Sequence, residues 1–298
     1  MKGIILAAGA GTRLYPVSMP ISKVLLPVYD KPMVYYPLSN LMMGGIRDIL
    51  VITNEEDDPK FRKLLGDGSQ FGVHIDYLIQ YVPKGISDAF IIAEKWIGGD
   101  DVVLVLGDNI FCGPEMQSLI KSAIEENEGA TVFGYYVKDP ERFGVVEFDG
   151  DMNAISIEEK PKNPKSNYAV VGLYFYDGRA CEFAKTLLPS ANRNELEITD
   201  LNIRYMEEGR LKVKLLGDKV RWFDAGTFDS LLEAGNFIKD VQERTSRNIG
   251  CPEEIALSKG FVTKEEVIER ISKFKENSYQ IYVKEICGIK TSIKNTQS

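Results

Sequence analysis

A glycine-rich run near the N-terminus has the residue types and spacing needed to hold a polyphosphate. The run is LAAGAGTRL, residues 6–14, and the candidate phosphate ligands in it and in the next loop are Gly9, Gly11, Thr12, Arg13 and Lys23. Glycine lets backbone N–H groups approach phosphate oxygens without a Cβ in the way. Threonine adds a hydroxyl, and arginine adds a forked charge that matches two phosphate oxygens. The pattern therefore predicts a phosphate loop directly after a strand at residues 3–7.

Two other nucleotide-binding loops fit this run poorly. A P-loop needs GxxxxGK[ST], which does not occur in the chain. A dinucleotide-binding turn needs GxGxxG, but Leu14 stands at the third glycine position. Asp30 lies where a ribose-binding acid would be sought, but it falls between Pro27 and Pro32, which is unfavourable at the end of a strand. A nicotinamide enzyme is therefore disfavoured, and a glycine turn without a ligand stays the structural alternative.

Two aspartates follow predicted strands and could hold a divalent metal ion. Asp108 ends the strand-like run VVLVLGD, and Asp224, in RWFDAGT, comes after a predicted strand at residues 211–216. Ligands bind at the carboxyl ends of strands in α/β sheets, and Mg²⁺ prefers carboxylate, phosphate and water oxygens. Each aspartate could instead be a turn or helix-capping residue. The single histidine, His74, is interpreted as structural, so no Ser–His or Cys–His pair is expected.

The elements that would position these residues alternate between strands and helices. Runs rich in β-branched residues, typical of strands buried on both faces of a parallel sheet, occur at residues 3–7, 49–53, 75–80 and 102–106. Amphipathic patterns predict a helix at residues 89–97 and another that begins near Pro114. Strand–helix alternation of this kind indicates an α/β fold.

The second half of the chain adds closely spaced strands and then helices. Turn signals separate strand-like runs at residues 131–137, 145–148, 155–158 and 170–176, which indicates antiparallel or mixed sheet. The next predicted elements are a helix, a strand and a helix at residues 198–207, 211–216 and 228–241. A capping-box pattern at residues 263–266 predicts a further helix in the tail. We therefore expect a catalytic domain of residues 1–248 and a C-terminal helical extension of residues 249–298.

Composition limits the classes of partner. The chain has 298 residues, a net charge of −8 and a pI of about 5.0, which disfavours nonspecific binding to nucleic acid or anionic membranes. It lacks a signal-peptide pattern and an apolar run long enough to span a bilayer. The cysteines are far apart, with no CxxC pair, at Cys112, Cys181, Cys251 and Cys287. We expect a soluble cytoplasmic protein with reduced thiols and no nucleic-acid or membrane partner.

A long motif around the phosphate loop gives a closer assignment. The segment GAGTRLYPVSMPISKVLLPVYDKPM, residues 9–33, resembles the signature of the sugar nucleotidylyltransferases. Further matches look closest to the longer-chain members that act on glucose 1-phosphate and a thymidine nucleotide; they include LGDGSQFG, VLGDN, DPERFGVVEFD, EEKPKNPKSNYAVVGLYFYD, ELEITDLN and CPEEIA. The resemblance implies the nucleotide-diphospho-sugar transferase fold, a Rossmann-like mixed, mostly parallel sheet flanked by helices, here with a C-terminal helical extension.

The resemblance also implies a reaction, the Mg²⁺-dependent transfer of a thymidylyl group from dTTP to glucose 1-phosphate with release of pyrophosphate. The sugar phosphate is already anionic at pH 7, so catalysis needs positioning and charge neutralisation rather than a base. In the family, the positions of Asp108 and Asp224 hold the metal. Arg13 and Lys23 are expected to neutralise the phosphates.

Base and sugar recognition are implied for a further set of positions. Gln80 and Gly85 match positions that contact the base, and a glutamine amide can pair with the edge of a pyrimidine. The positions that match contacts to the sugar or its phosphate are Gly144, Glu159, Lys160 and Val171. Tyr174 is either a wall of that pocket or a core aromatic residue.

Several departures from the family pattern concern nucleotide selectivity. Ala8, Val24 and Ser87 replace a glycine, a glutamine and an alanine that are usual at these positions. The choice between thymidine and uridine nucleotides therefore stays open. A UDP-sugar enzyme of the same family and a catalytically silent nucleotide-sugar sensor are the alternatives. The longer members of the family are typically homotetramers with a second nucleotide site for end-product inhibition. The resemblance also implies that the product supplies dTDP-rhamnose for polysaccharide biosynthesis. A homotetramer and a regulatory site that involves the C-terminal helices are therefore expected.

Overall fold

Runs of isoleucine, leucine and valine form the centre of the structure, a computed structural model that describes residues 1–150, 153–191 and 193–290. The strands are β1 (Lys2–Leu6), β2 (Pro27–Val28), β3 (Lys31–Pro32), β4 (Asp48–Thr53), β5 (His74–Ile79), β6 (Val102–Leu106), β7 (Asn109–Cys112), β8 (Ala130–Tyr136), β9 (Gly144–Phe148), β10 (Ala154–Glu159), β11 (Tyr168–Tyr176), β12 (Leu211–Leu215) and β13 (Arg221–Asp224). The first four predicted strands correspond to β1, β4, β5 and β6, because β-branched side chains pack well on a pleated surface.

Within the described residues, nine strands form one sheet in the order β10-β9-β11-β6-β1-β4-β5, with β8 beside β11 and β12 beside β8. The strands β6, β1, β4 and β5 are parallel, so their carboxyl ends lie at one edge. The strand β11 runs antiparallel to β6, β8 and β9 and joins this parallel part to the antiparallel part. The predicted mixed sheet flanked by helices is confirmed.

A second, two-stranded sheet pairs β13 with β7 and is decisive for the site. Asp224 is the last residue of β13 and stands opposite Asn109 in this ladder. Asp108 does not end β6, as the sequence suggested, but lies in the turn between β6 and β7. The strand signal of residues 221–224 is too short to be recognised without its partner β7.

Helices cover both faces of the large sheet. They are α1 (Tyr35–Met43), α2 (Asp58–Leu65), α3 (Asp88–Ile97), α4 (Met116–Glu125), α5 (Ala180–Thr186), α6 (Ile198–Glu207), α7 (Phe228–Thr245), α8 (Pro252–Ser258), α9 (Lys264–Ile271) and α10 (Ser278–Ile286). The predicted helices appear as α3, α4, α6, α7 and α9, and α7 continues beyond the predicted end at residue 241. Thr227 caps α7 by accepting a hydrogen bond from the N–H of Ser230.

The hydrophobic core lies on both sides of the sheet, as the two-residue period of a strand requires. In β1, Ile5 points to one side and Ile4 to the other, and both are fully buried. The tail helices share the core of Ile5, to which Val267 and Val283 contribute buried side chains. All four cysteines are free and buried. None of the described helices combines the length and hydropathy needed to cross a membrane.

Candidate active site

A cavity of about 540 Å³ opens beside the last residues of β1, β6 and β13. The sequence-predicted residues that line it are Gly9, Arg13, Lys23, Asp108, Gly144, Glu159, Lys160, Tyr174 and Asp224. The predicted residues that lie outside its lining, although the structure describes them, are Gly11, Thr12, Gln80, Gly85 and Val171. The structure therefore brings both predicted metal residues and most of the predicted phosphate and sugar-phosphate residues to one cavity, with the predicted base-contacting residues outside it.

Asp108 and Asp224 come together because β7 and β13 pair. The N–H of Ala225 donates to the backbone carbonyl of Asp108 at 2.9 Å, which holds the two aspartates next to each other across the ladder. Their side chains are 13% and 17% exposed and line the same cavity. The arrangement is a pair of largely desolvated carboxylates on one wall.

Each aspartate faces a cation from the N-terminal loops. Nζ of Lys23 contacts Oδ2 of Asp108 directly, and Nη2 of Arg13 lies 3.7 Å from Oδ2 of Asp224. Lys23 begins a 3₁₀ turn that Ser22 caps through its side-chain oxygen. The Arg13 side chain is half exposed, so its guanidinium keeps donors free toward the cavity.

The surroundings shift the pKa values of the two carboxyl groups in opposite directions. Burial alone would raise the pKa of Asp108, but the charge and hydrogen bond of Lys23 hold it below its usual value. Burial raises the pKa of Asp224, and the negative charge of Asp108 raises it further. Like charges held this close destabilise each other, so a cation bound between them would be favoured.

The phosphate loop has the backbone that its glycines were expected to permit. Gly11 adopts a left-handed conformation, with φ +62°, and the 3₁₀ turn Thr12–Leu14 follows it. The hydroxyl of Ser18 donates to the Gly11 carbonyl at 2.8 Å and closes the loop. Gly9 and Arg13 therefore reach the cavity, whereas Thr12 stays outside its lining.

The opposite wall carries the residues expected at the sugar phosphate. Oε2 of Glu159 accepts a hydrogen bond from the Thr199 hydroxyl at 2.6 Å, and Nζ of Lys160 lies 3.6 Å from Oε1 of Glu159. Lys160 has φ +45°, a left-handed conformation that is costly for lysine and common at functional sites. A Cβ on Gly144 would lie 3.0 Å from the Thr199 hydroxyl, so a glycine there leaves this wall open.

Val171 and Tyr174 lie on the same strand but face differently. The Val171 side chain is fully buried in the core, and its neighbours Val170 and Gly172 line the cavity. Val171 itself is not among the lining residues. Tyr174 is 3% exposed and also lines the cavity, so it is both a core aromatic and a pocket wall. Burial raises the pKa of Tyr174, so its hydroxyl stays protonated.

Gln80 and Gly85 lie at the carboxyl end of β5, outside the cavity. The Gln80 N–H donates to the Thr53 carbonyl at 2.8 Å, which continues the β4–β5 ladder. Gly85 has φ +104°, and a side chain there would collide with the backbone of Leu196. Ile86, the next residue, lines the cavity, so this loop borders it.

Asn109 and Arg193 are among the lining residues that were not predicted from the sequence. Oδ1 of Asn109 accepts from the Trp222 indole at 2.7 Å and from the Gly172 N–H at 3.0 Å, while its Nδ2 donates to Asp108 at 3.1 Å. Nη1 of Arg193 lies 3.5 Å from Oε1 of Glu159. Asn109 resembles an ordinary turn residue in sequence, and Arg193 lies in a polar loop, so only folding makes either informative.

Comparison with known proteins identifies the family of the chain. The chain matches the nucleotidyl transferase family over residues 2–241. A glucose-1-phosphate thymidylyltransferase from Neisseria gonorrhoeae is 56% identical over 288 residues, which are 97% of this chain and 100% of that protein. One from Mycobacterium tuberculosis (strain ATCC 25618 / H37Rv) is 49% identical over 286 residues, 96% of this chain and 99% of that protein.

Solved structures agree in fold. A Bacillus anthracis protein assigned as a glucose-1-phosphate thymidylyltransferase, in complex with sucrose, has a TM-score of 0.75 and 43% identity and covers 80% of this chain and 96% of its own. A UDP-glucose pyrophosphorylase bound to UDP-glucose has a TM-score of 0.72 at 23% identity, covers 80% of this chain and 98% of its own, and shows likeness of fold alone. The chain therefore belongs to the nucleotidyl transferase family and, within it, to the glucose-1-phosphate thymidylyltransferases.

Proposed function

We propose that the protein transfers a thymidylyl group from dTTP to glucose 1-phosphate and releases pyrophosphate. An oxygen of the sugar phosphate forms a bond to the α-phosphorus of dTTP, the bond from that phosphorus to the bridging oxygen breaks, and pyrophosphate leaves with the electron pair. The attacking oxygen is already anionic near neutral pH, so no side chain has to remove a proton. The observation that carries the proposal is that Arg13, Lys23, Asp108 and Asp224 meet at one cavity.

The donor set fits Mg²⁺. Asp108 and Asp224 would hold the ion, and their adjacent, poorly solvated carboxylates are the ligand type that Mg²⁺ prefers. The described residues contain no group of three or more potential protein ligands, which suits an ion that takes its remaining oxygens from phosphates and water. When bound, Mg²⁺ would supply positive charge at the α-phosphate.

The remaining steps belong to side chains of the cavity walls. Arg13 and Lys23 offset the repulsion between the incoming sugar phosphate and the triphosphate. Glu159 accepts hydrogen bonds from sugar hydroxyls, Lys160 binds the sugar phosphate as a point charge, and Tyr174 excludes water. Backbone groups of Gly144 and Val171 contact the sugar, and Gln80 and Gly85 contact the base. Gly9, Gly11 and Thr12 form the loop around the phosphates.

The proposed roles of the acids and the substrates are tested by one pyrophosphate-release assay. The wild-type protein is incubated with Mg²⁺, each of dTTP, UTP, dCTP and ATP, and glucose 1-phosphate or other sugar phosphates. We expect the highest kcat/KM with dTTP and glucose 1-phosphate. Asp108→Asn should lower kcat at least about 100-fold, because it removes a carboxylate charge that would hold the metal ion in the transition state.

A matched control uses an aspartate away from the cavity. Asp218 is exposed in the loop before β13, so Asp218→Asn should keep wild-type kcat. No pyrophosphate from any nucleotide would contradict the enzymatic function, and full activity of Asp108→Asn would contradict the metal site. A preference for UTP would make the protein a UDP-sugar enzyme instead.

The proposal extends to regulation in a cytoplasmic homotetramer, with residues 1–248 as the catalytic domain and residues 249–298 as the extension. A second cavity of about 360 Å³ is lined by residues of α1, α7 and α8. The Ser39 hydroxyl and both amide atoms of Asn40 are buried there without a hydrogen-bond partner among the residues that the structure describes. Unpartnered buried polar atoms are costly, which supports a ligand at this place. We assign the cavity to a nucleotide-sugar end product.

A further inference from the structure

The side chain of Gln80 is held by one neighbour. Gln80 is 6% exposed, and its backbone is fixed by the hydrogen bond to Thr53 that extends β5. Its Nε2 donates to Oδ2 of Asp88 at 2.9 Å, and Asp88 is 7% exposed. The contact is therefore a buried, charge-assisted hydrogen bond.

This contact fixes the direction of the Gln80 amide. An ionised carboxylate only accepts hydrogen bonds, so the amide can turn only its Nε2 toward Asp88. Its Oε1 must then point to the other side, and no described residue donates a hydrogen bond to that oxygen. A flip of the amide would place Oε1 against the carboxylate and leave two buried acceptors facing each other.

The residue before Asp88 is anchored by two hydrogen bonds. Asp88 is the first residue of α3, and the preceding Ser87 is fully buried. The Ser87 N–H donates to the Leu196 carbonyl at 3.1 Å, and its hydroxyl donates to the Glu197 carbonyl at 3.0 Å. Glu197 lines the cavity, so the hydrogen bonds of Ser87 tie the start of α3 to the lining of the cavity.

We infer that Asp88 is a positioning residue that makes the site select pyrimidines with a hydrogen on N3. The inference rests on the proposed function, in which Gln80 contacts the base. Thymine and uracil carry N3–H, which can donate to a fixed Oε1, whereas N3 of cytosine is an acceptor and meets that oxygen unfavourably. A site built to accept a hydrogen bond rejects an analogue that cannot donate it. The 5-methyl group plays no part, so thymine and uracil are not distinguished by this pair.

The test is the ratio of kcat/KM for dTTP to that for dCTP in Asp88→Asn. Asparagine has nearly the same shape, but it can accept from Nε2 or donate to Oε1, so the Gln80 amide becomes free to flip. For dTTP, kcat/KM should fall only about twofold, because half of the amide orientations stay correct. For dCTP it should rise about tenfold, because the flipped amide donates to N3. If Asp88 only supported the structure, its substitution would not raise kcat/KM for any substrate.

Two further variants serve as controls. Asp58 is also the first residue of a helix and is 9% exposed, but its partner is Arg62 rather than Gln80. Asp58→Asn should therefore leave the ratio at its wild-type value. Asp88→Glu keeps an acceptor-only group and should keep dCTP as poor a substrate as it is for the wild type. If Asp88→Asn does not fold, Asp88→Ser, whose hydroxyl can also donate, decides by the same ratio.

The outcomes separate the inference from the function beneath it. A wild-type protein that releases no pyrophosphate with dTTP would contradict the proposed function. An active wild type whose dTTP-to-dCTP ratio is unchanged in the folded variant would overturn the role of Asp88 and leave the function standing. A dTTP-to-dCTP ratio that falls at least about tenfold, because kcat/KM for dCTP rises, confirms the role of Asp88.

Discussion

The chemistry of single residues depends on how close the charged groups are allowed to come. Lys23 and Asp108 are in direct contact, whereas Nη2 of Arg13 and Oδ2 of Asp224 are 3.7 Å apart and form a longer ion pair. The Arg13 guanidinium can lie there only because residue 226 has no side chain. A Cβ on Gly226 would collide with Nη2 of Arg13 and come within 3.0 Å of Oδ1 of Asp224.

Gly226→Ala should therefore impair catalysis with little loss of stability. The added methyl displaces the flexible end of Arg13 from Asp224, and small misplacements of catalytic groups can cost up to about 100-fold in rate. We expect kcat to fall ten- to 100-fold in a pyrophosphate-release assay, with a melting temperature near that of the wild type.

Gly217→Ala is the matched control, because a Cβ there meets nothing within 4 Å. It should retain wild-type kcat and melting temperature. Equal activities of Gly226→Ala, Gly217→Ala and the wild type would show that Arg13 does not need its place beside Asp224.

Among the elements, several with a clear apolar period were predicted, although the amphipathic helix α2, which buries Phe61 and Leu65, was missed. The sequence predicted α6 and β6 with their observed bounds, because their burial follows the helical and the buried-strand pattern. Helix α1 was missed because nearly every side chain from Tyr36 to Met42 is buried, which removes the polar face, and because Pro37 argues against a helix.

The same limit applies to the site. The phosphate loop and Asp108, in the turn after β6, could be proposed from local sequence, since each sits beside a recognisable strand. The adjacency of Asp224 to Asp108 and the hydrogen bonds that the Asn109 amide oxygen accepts depend on pairings between distant segments, such as β13 with β7. The periodicity of apolar residues within one segment does not indicate which distant segments pair.

The junction of α7 and α8 allows a test of the proposed regulatory site. Arg247 lines the 360 Å³ cavity, is 77% exposed and forms an ion pair with Glu254 at 3.2 Å. An anionic end product would gain a charge-assisted hydrogen bond from it. Arg247→Ala should raise the concentration of dTDP-sugar needed for half-inhibition about tenfold, measured with uninhibited kcat as the reference.

Arg244→Ala controls for the loss of one positive charge. Arg244 is 62% exposed on α7 and pairs with Asp240 outside the cavity lining. Its half-inhibitory concentration should match that of the wild type. If both variants respond alike, the effect is one of general charge, and the cavity is not the regulatory site.

In the molecule as a whole, the C-terminal helices pack on the first half of the chain. Cys251, Val267 and Val283 are in the same core cluster as Phe71, which precedes Gly72 at the end of a 3₁₀ turn. A Cβ on Gly72 would collide with the backbone of Phe261, between α8 and α9. The tail and the catalytic part therefore share one packed interface, although the division at residue 248 stays a prediction.

Substitution of Gly72 tests whether the extension unfolds with the catalytic part. Gly72 and Gly45 both have positive φ, at +66° and +81°, so alanine costs about 1–2 kcal/mol of backbone strain at either site. At Gly45 the Cβ meets nothing within 4 Å, whereas at Gly72 the tail has to move away from Phe71. In urea unfolding, Gly72→Ala should lose at least about 2 kcal/mol more than Gly45→Ala, in a single transition, because exposing one side of the shared core weakens both parts. An early separate transition in Gly72→Ala would instead identify residues 249–298 as an independent unit, and equal losses in the two variants would contradict the tight contact at Phe261.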